Sequence, residues 1–194
     1  MNQIVSVELL DSFSIPEEKI IYALNTNLPF DIRINKVKIL NEKFNARFDA
    51  NFREYKYFIT NKYNIFERNY CTFTKYPLDL GLLNETANIF IQKTDFTTFS
   101  KYNPDNNNPV CDVVLSYWEY LGDGKFIYTV KSNHFLYGMV RSLVGTMLDI
   151  IRGKRSLENI NFALNQKDRS LNSPLAKPQG LFLNKVYYTN EIFL

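Results

Sequence analysis

An α+β fold, with mixed and antiparallel strands flanked by helices, is what this chain's sequence predicts. Three features carry it. Segments of period-two alternation and segments of helical spacing both occur, in no strict βαβ order. Gly122-Asp123-Gly124 stands between two strand-like runs, which is a hairpin signal. Aromatic residues make up 15% of the chain, 16 Phe, 13 Tyr and one Trp, a supply that suits a sheet-rich core.

The elements follow in order. Gln3 to Leu9 alternates apolar and polar residues and reads as a half-buried strand. Ser14, with Pro16 in the first turn and Glu17 three residues on, resembles a capping box opening a helix through Ile20, Ile21 and Leu24. Ile32 to Ile39 is extended, and Phe44 to Ile59 forms one long strand. Pro77-Leu78-Asp79 opens a second helix carrying Leu82, Ala87, Ile89 and Phe90. Asn103 to Pro109 is a loop, and the hairpin strands run over Val113 to Tyr120 and Lys125 to Lys131. Leu136 to Arg152 has apolar residues at helical spacing, and Gly153 stops it. A short helix over Leu157 to Leu164 and a last strand over Gly180 to Tyr188 complete the chain.

Composition excludes several classes of function. At 194 residues, 45% hydrophobic and 22% charged, the chain is neither disordered nor in need of staples. No apolar run reaches the ~18 residues of a membrane span. The N-terminus lacks the basic and apolar regions of a signal peptide, so a cytoplasmic protein with no membrane association is expected. Cys71 and Cys111 are too few for a disulfide framework, and the single histidine, His134, excludes a His-rich zinc site. No metal or organic cofactor is expected. The net charge of +3 permits a nucleic-acid partner if the basic residues cluster.

Two places carry candidate chemistry. Along Phe48 to Phe58, alternation puts Arg53, Tyr55 and Tyr57 on one face, with Asp49 beside them if no bulge intervenes. A basic, aromatic face suits a sugar-phosphate backbone and a stacked base; an edge strand covering a core is the competing reading. Arg141 sits within an otherwise apolar helix. If buried it needs a partner, for which a carboxylate is the natural choice; otherwise it snorkels from the helix flank.

In chain order, further segments join these: Ala23-Leu24-Asn25 with Leu28-Pro29 and Asp31-Ile32-Arg33; Phe44-Asn45-Ala46-Arg47-Phe48; Arg53-Glu54-Tyr55-Lys56-Tyr57; Asp95-Phe96-Thr97-Thr98-Phe99; Phe135 to Gly145; and Gln179-Gly180-Leu181-Phe182-Leu183. Together they resemble the TruA-type tRNA pseudouridine synthases over nearly the whole chain. The resemblance implies a pseudouridine synthase fold and isomerisation of uridine to pseudouridine in the anticodon stem-loop of tRNA, without cofactor, by a homodimer. It implies that Tyr55 packs against the flipped uracil, that Arg141 pairs with the catalytic aspartate, and that Leu181 walls the base. Arg47, Arg53 and Lys56 are the matching candidates for RNA contact.

The family's Gly-Arg-Thr-Asp motif does not occur in these 194 residues; Lys93-Thr94-Asp95 is only an echo of it. The resemblance puts the catalytic aspartate upstream of Met1, so Met1 is expected to be internal to a longer protein and no catalytic residue is expected in this chain. The chain is therefore expected to be a truncated product inactive alone, with residues 1–50 the remnant of an N-terminal ferredoxin- or RRM-like domain and 51–194 the pseudouridine synthase domain. A degenerate relative that binds RNA without catalysis and one half of a split enzyme are the alternatives. Asp49 and Asp95 are the carboxylates to test for a substitute role.

Overall fold

A computed structural model describes residues 3–8, 15–40, 42–103 and 108–189. Among them the chain forms two compact units, one built mainly from Asn51–Tyr187 and one from Ile4–Ala50 with Tyr188.

The larger unit is a six-stranded sheet with helices packed on it. Its strands are β1 (Ala50–Thr60), β2 (Thr72–Phe73), β3 (Lys93–Asp95), β4 (Val110–Gly122), β5 (Lys125–Ser132) and β6 (Leu181–Tyr188). They lie in the order β2-β1-β5-β4-β3, with β6 also paired to β1. β1 runs antiparallel to β5 from Arg53↔Ser132 to Thr60↔Lys125, and parallel to β2 at Ile59↔Thr72. It is therefore an interior strand and not an edge, but the core-covering half of the competing reading holds: Tyr57 of that face lies in the core and Tyr55 packs against it. The β4–β5 hairpin closes at Asp123 (φ 48°) and Gly124 (φ 73°), two successive left-handed residues of the kind a tight two-residue turn requires.

Helix α2 is Leu80–Ile89, α3 is Met139–Ile151 and α4 is Leu157–Gln166. Asp79 caps α2 by accepting the Leu82 N–H at 3.0 Å. The Asn84 side chain clamps α2 to β4, donating to the Trp118 carbonyl at 3.0 Å and accepting the Trp118 N–H at 2.7 Å. α3 starts after Gly138 (φ 76°) and buries Met139, Val140, Leu143, Val144 and Met147 against Tyr57 and Ile59 of β1 and Tyr128 and Val130 of β5 within one core. Each such side chain contributes roughly 1.5–3 kcal/mol of burial. That helix-facing row of β1 is the alternation the sequence displays.

The smaller unit contains helix α1 (Glu17–Asn27), none of whose residues is buried. Asn25 receives the Ile34 N–H at 2.8 Å and donates to the Ile34 carbonyl at 2.9 Å, and Phe44 packs edge-on against Tyr188 at 5.1 Å. Two sequence expectations are corrected here, the first strand and the start of the long one. Residues 3–8 form no strand, and Val5 and Val7 are about three-quarters exposed. An alternating pattern becomes a strand only where a neighbour supplies the ladder. Residues 32–39, expected to be extended, carry neither helix nor strand. The long strand begins at Ala50 rather than Phe44, because residues 46–48 form a turn in which Asp49 accepts the Asn45 N–H at 2.7 Å. Asp49 thus precedes the strand and is held in the turn. Met1, ahead of which the family's aspartate is expected, lies outside the described residues. So do the end of the first strand at Leu9, the Ser14 cap and the centre of the Asn-rich loop; α1 itself follows Pro16, with no side-chain cap.

Candidate RNA-modification site

Residues 172–180 form a strap laid along α3, and the site is built around it. Ser142 Oγ donates to Asn172 Oδ1 at 2.6 Å. Gly145 lets the strap come close: a Cβ there would lie 2.1 Å from the Pro174 carbonyl oxygen. One turn earlier Arg141 meets Ala176 twice, its Nε donating to the Ala176 carbonyl at 2.6 Å and its own carbonyl accepting the Ala176 N–H at 3.0 Å. Next, the Tyr57 hydroxyl donates to the Lys177 carbonyl at 2.8 Å and shares a 2.7 Å hydrogen bond with the Thr72 hydroxyl. The strap then turns through Pro178–Gly180 into β6 at Leu181. Gly180 is also obligatory, since a Cβ would lie 2.5 Å from the Phe58 carbonyl oxygen and 3.0 Å from the Tyr57 ring.

Arg141 is half-buried, and among the described residues no carboxylate pairs with it. Its anchor is a backbone carbonyl, which neither the carboxylate reading nor the snorkelling reading anticipates. Among the described residues only Nε is engaged, so the Nη groups remain as donors for an anion. Asp149, the one acid within α3, is eight residues along the helix, about 12 Å at 1.5 Å per residue, and lies 3.7 Å from Arg152.

Tyr55 lies on β1 opposite Val130 and is half-buried. Its ring meets Phe135 edge-on at 5.0 Å, which fixes the orientation of its plane. Burial raises its phenol above the ordinary value, partly offset by Arg53. Tyr57, wholly buried, is pushed up to about 12 by burial, against the lowering effects of the Thr72 hydrogen bond and the Arg141 charge. Both are neutral donors at physiological pH. Leu181, at the start of β6, is half-buried against the core.

The basic candidates are dispersed. Arg53 shares Tyr55's side of β1 by alternation, and one Nη donates to the Asn133 carbonyl at 2.7 Å. Lys56 lies on the opposite side. Arg47 belongs to the turn of the smaller unit, its guanidinium 5.4 Å from the Phe48 ring. His134 is a half-buried residue just after β5, with Nε2 3.1 Å from the Asn108 carbonyl and 3.5 Å from Cys111 Sγ.

Asp95 is remote from this arrangement. It lies on β3, three strands from β1, about 14 Å at 4.8 Å per strand. Burial pushes its carboxyl up, but the Thr97 hydrogen bonds and Lys167, at 3.3 Å, more than offset this and hold it below the ordinary range. It is tied into the β3 turn and does not stand near Arg141's frame. Among the described residues no cluster of His, Cys, Asp and Glu could hold a metal ion, and no helix is long and apolar enough to cross a membrane.

Two participants carry no motif signal, the Ala176 carbonyl and Thr72; Phe135 lies in a matched segment, but nothing there shows its contact with Tyr55. Tyr57 stands out in the sequence as the second tyrosine of an alternating pair within a matched segment, and its clamp on the strap is visible only in three dimensions.

Comparison with known proteins bears on the same segments. A family model described as tRNA pseudouridine synthase matches residues 87–189, which include α3, the strap and β6. The chain is 36% identical over 176 residues to tRNA pseudouridine synthase A of Bacteroides fragilis, covering 91% of this chain and 70% of that protein. It is 38% identical over 170 residues to the protein of that name from a Geobacillus species, covering 87% and 68%. It is 36% identical over 192 residues to the one from Dictyoglomus thermophilum, covering 97% and 77%.

Proposed function

The chain belongs to the TruA-type tRNA pseudouridine synthases, isomerases of tRNA uridine, and from that premise we propose that residues 51–187 form the part of the site that holds the target uridine of the anticodon stem-loop. The observation that carries this reading is Arg141, fixed at Nε by the strap while its Nη groups stay uncommitted. The isomerisation breaks the N1–C1′ bond, turns the uracil and joins C5 to C1′; C5 loses its hydrogen to solvent and N1 takes a proton. Atoms and electrons balance without a co-reactant.

In this reading the uridine leaves its stack to be reached. Tyr55, held on edge by Phe135, offers the ring face against which the uracil lies. Leu181 closes the apolar side, limiting water. The Arg141 Nη groups hold the catalytic carboxylate of the family's Gly-Arg-Thr-Asp motif. Arg53 contacts the sugar-phosphate chain from Tyr55's side of the strand, and Lys56 and Arg47 add positive charge. The protein acts in the cytoplasm as a homodimer.

The 194 residues hold no Arg-Thr-Asp, and Asp49 and Asp95 are committed elsewhere, so the chain alone binds tRNA without turning over. Tritium release from tRNA labelled at C5 of uridine tests this. Release at background, with tRNA affinity that drops steeply as salt rises, is the expected result. Reproducible release means that another carboxylate serves, and affinity that ignores salt sinks the RNA reading. Sedimentation tests the dimer.

A further inference from the structure

The strap has a second side. Next to the Tyr57–Lys177 hydrogen bond lies a pocket of about 190 Å³, lined among others by Tyr63, Arg68, Cys71, Phe73, Lys177 and Gln179. We propose that it holds one unpaired nucleotide of the RNA, flanking the target uridine, with the base against Tyr63 and Phe73 and its phosphate between Arg68 and Lys177. The inference rests on the RNA reading above and adds a site to it.

Four observations carry it. Tyr63 and Phe73 meet edge-on at 5.3 Å, and both are exposed, at 65% and 39%. Two fixed, solvent-facing aromatic rings on a pocket wall form a stacking surface that any base can use. Second, charge on this surface is selectively cancelled. Lys62 is paired to Asp123 and Lys125 to Glu67, whereas Lys177 has no ion-pair or hydrogen-bond partner for its ammonium among the described residues. Arg68 uses one Nη on the Ile65 carbonyl, at 2.7 Å, and has no carboxylate partner among the described residues. Two cations thus remain at the rim.

Third, polar and apolar groups converge as base recognition needs. Gln179 carries an amide that offers both a donor and an acceptor to a base edge, and Thr60 lines the same pocket. Cys71 lies buried, and burial pushes its thiol up to about 11, so it contributes no negative charge; Glu67 also lines the pocket, and its carboxylate is paired with Lys125 at 2.5 Å. Fourth, the pocket is tied to the site. Lys177 adjoins Ala176, which anchors Arg141, and Gln179 precedes Leu181 by two residues, at most about 7 Å of chain. A neighbouring nucleotide spans that distance.

The test uses the full chain and a fluorescent RNA stem-loop with an oligouridine loop, by anisotropy across a salt series. Lys177→Ala removes the ammonium but keeps the carbonyl that Tyr57 uses; it is expected to weaken binding several-fold and lower the salt slope by about 0.7. Tyr63→Ala, at an exposed position, is expected to lose roughly 5- to 100-fold through stacking. A loop carrying 4-thiouridine is expected to crosslink to Tyr63 or Phe73. Binding by the wild-type chain that both variants match, with crosslinks only outside residues 60–73, overturns the pocket and leaves the family reading intact, especially if Arg53→Ala still weakens binding. No binding by the wild-type chain overturns this pocket and the RNA reading together.

Discussion

Gly145 shows how one missing methyl group shapes the site. A Cβ would lie 2.1 Å from the Pro174 carbonyl oxygen, a backbone atom that no rotamer change moves aside. Gly145→Ala gains helix propensity of about 1 kcal/mol but must push the strap off α3, and overpacking costs about 1–3 kcal/mol. The expected outcome is a net loss of stability in urea unfolding together with weaker RNA binding, because the displaced strap carries the Ala176 anchor of Arg141. A variant at least as stable as the wild type, with unchanged binding, refutes the close approach. The sequence exhibits Arg141 as an oddity and Tyr55 as part of a face. It conceals their partners, since a backbone carbonyl at Ala176 has no residue code and the matched segment that begins at Phe135 does not show that its ring packs on Tyr55.

At the scale of elements, legibility follows whether an element carries its own signal. The β4–β5 hairpin, α2 with its Asp79 cap, and the apolar stripe of α3 each do, and the structure has all three. Residues 3–8 and 32–39 display strand-like patterns, yet a pattern specifies a face and not a partner. The strap has no period at all; its path is set by contacts with α3 and Tyr57, which are distant in sequence. β3 adds a pH-dependent tie, because Asp95 is bonded to Thr97 and paired with Lys167 after α4. Its folded pKa is lowered, so its contribution is complete above the unfolded value of about 3.9 and is lost as pH falls through the folded one. Melting temperature followed from pH 6 down to 2 is expected to drop less steeply in Asp95→Asn, which has no such contribution to lose. An unaltered acid limb disproves the tie.

Across the whole molecule, buried apolar surface is unevenly shared. The core is drawn from residues after Asn51, whereas none of the described residues 3–49 is buried. Regions with few buried contacts open at low free energy. Limited proteolysis is therefore expected to cut first before about residue 50 and leave a resistant fragment starting near Asn51. First cuts inside β4, β5 or α3 count against this division. The core also sets an alkaline limit. Burial raises Tyr57 and Cys111 to about 12 and Cys71 to about 11. Groups with raised folded values contribute stability that is complete below their unfolded values, about 8.5 for Cys and 10 for Tyr, and lost as pH climbs through the folded ones. The urea midpoint is expected to hold to about pH 8 and to decline by pH 11. A flat midpoint across that range contradicts the burial of these groups.

The double meeting of Arg141 with Ala176 has an implication for genetics. One side chain holds the strap to the helix through Nε and presents the rest of its guanidinium outward. Lysine keeps the charge but has no planar fork with which to do both. A library selected only for protein abundance, with no demand for RNA modification, will therefore still deplete substitutions at Arg141. Intolerance at this codon then reports architecture and chemistry together, and a second-site change in the strap that restores abundance without restoring modification is what separates them.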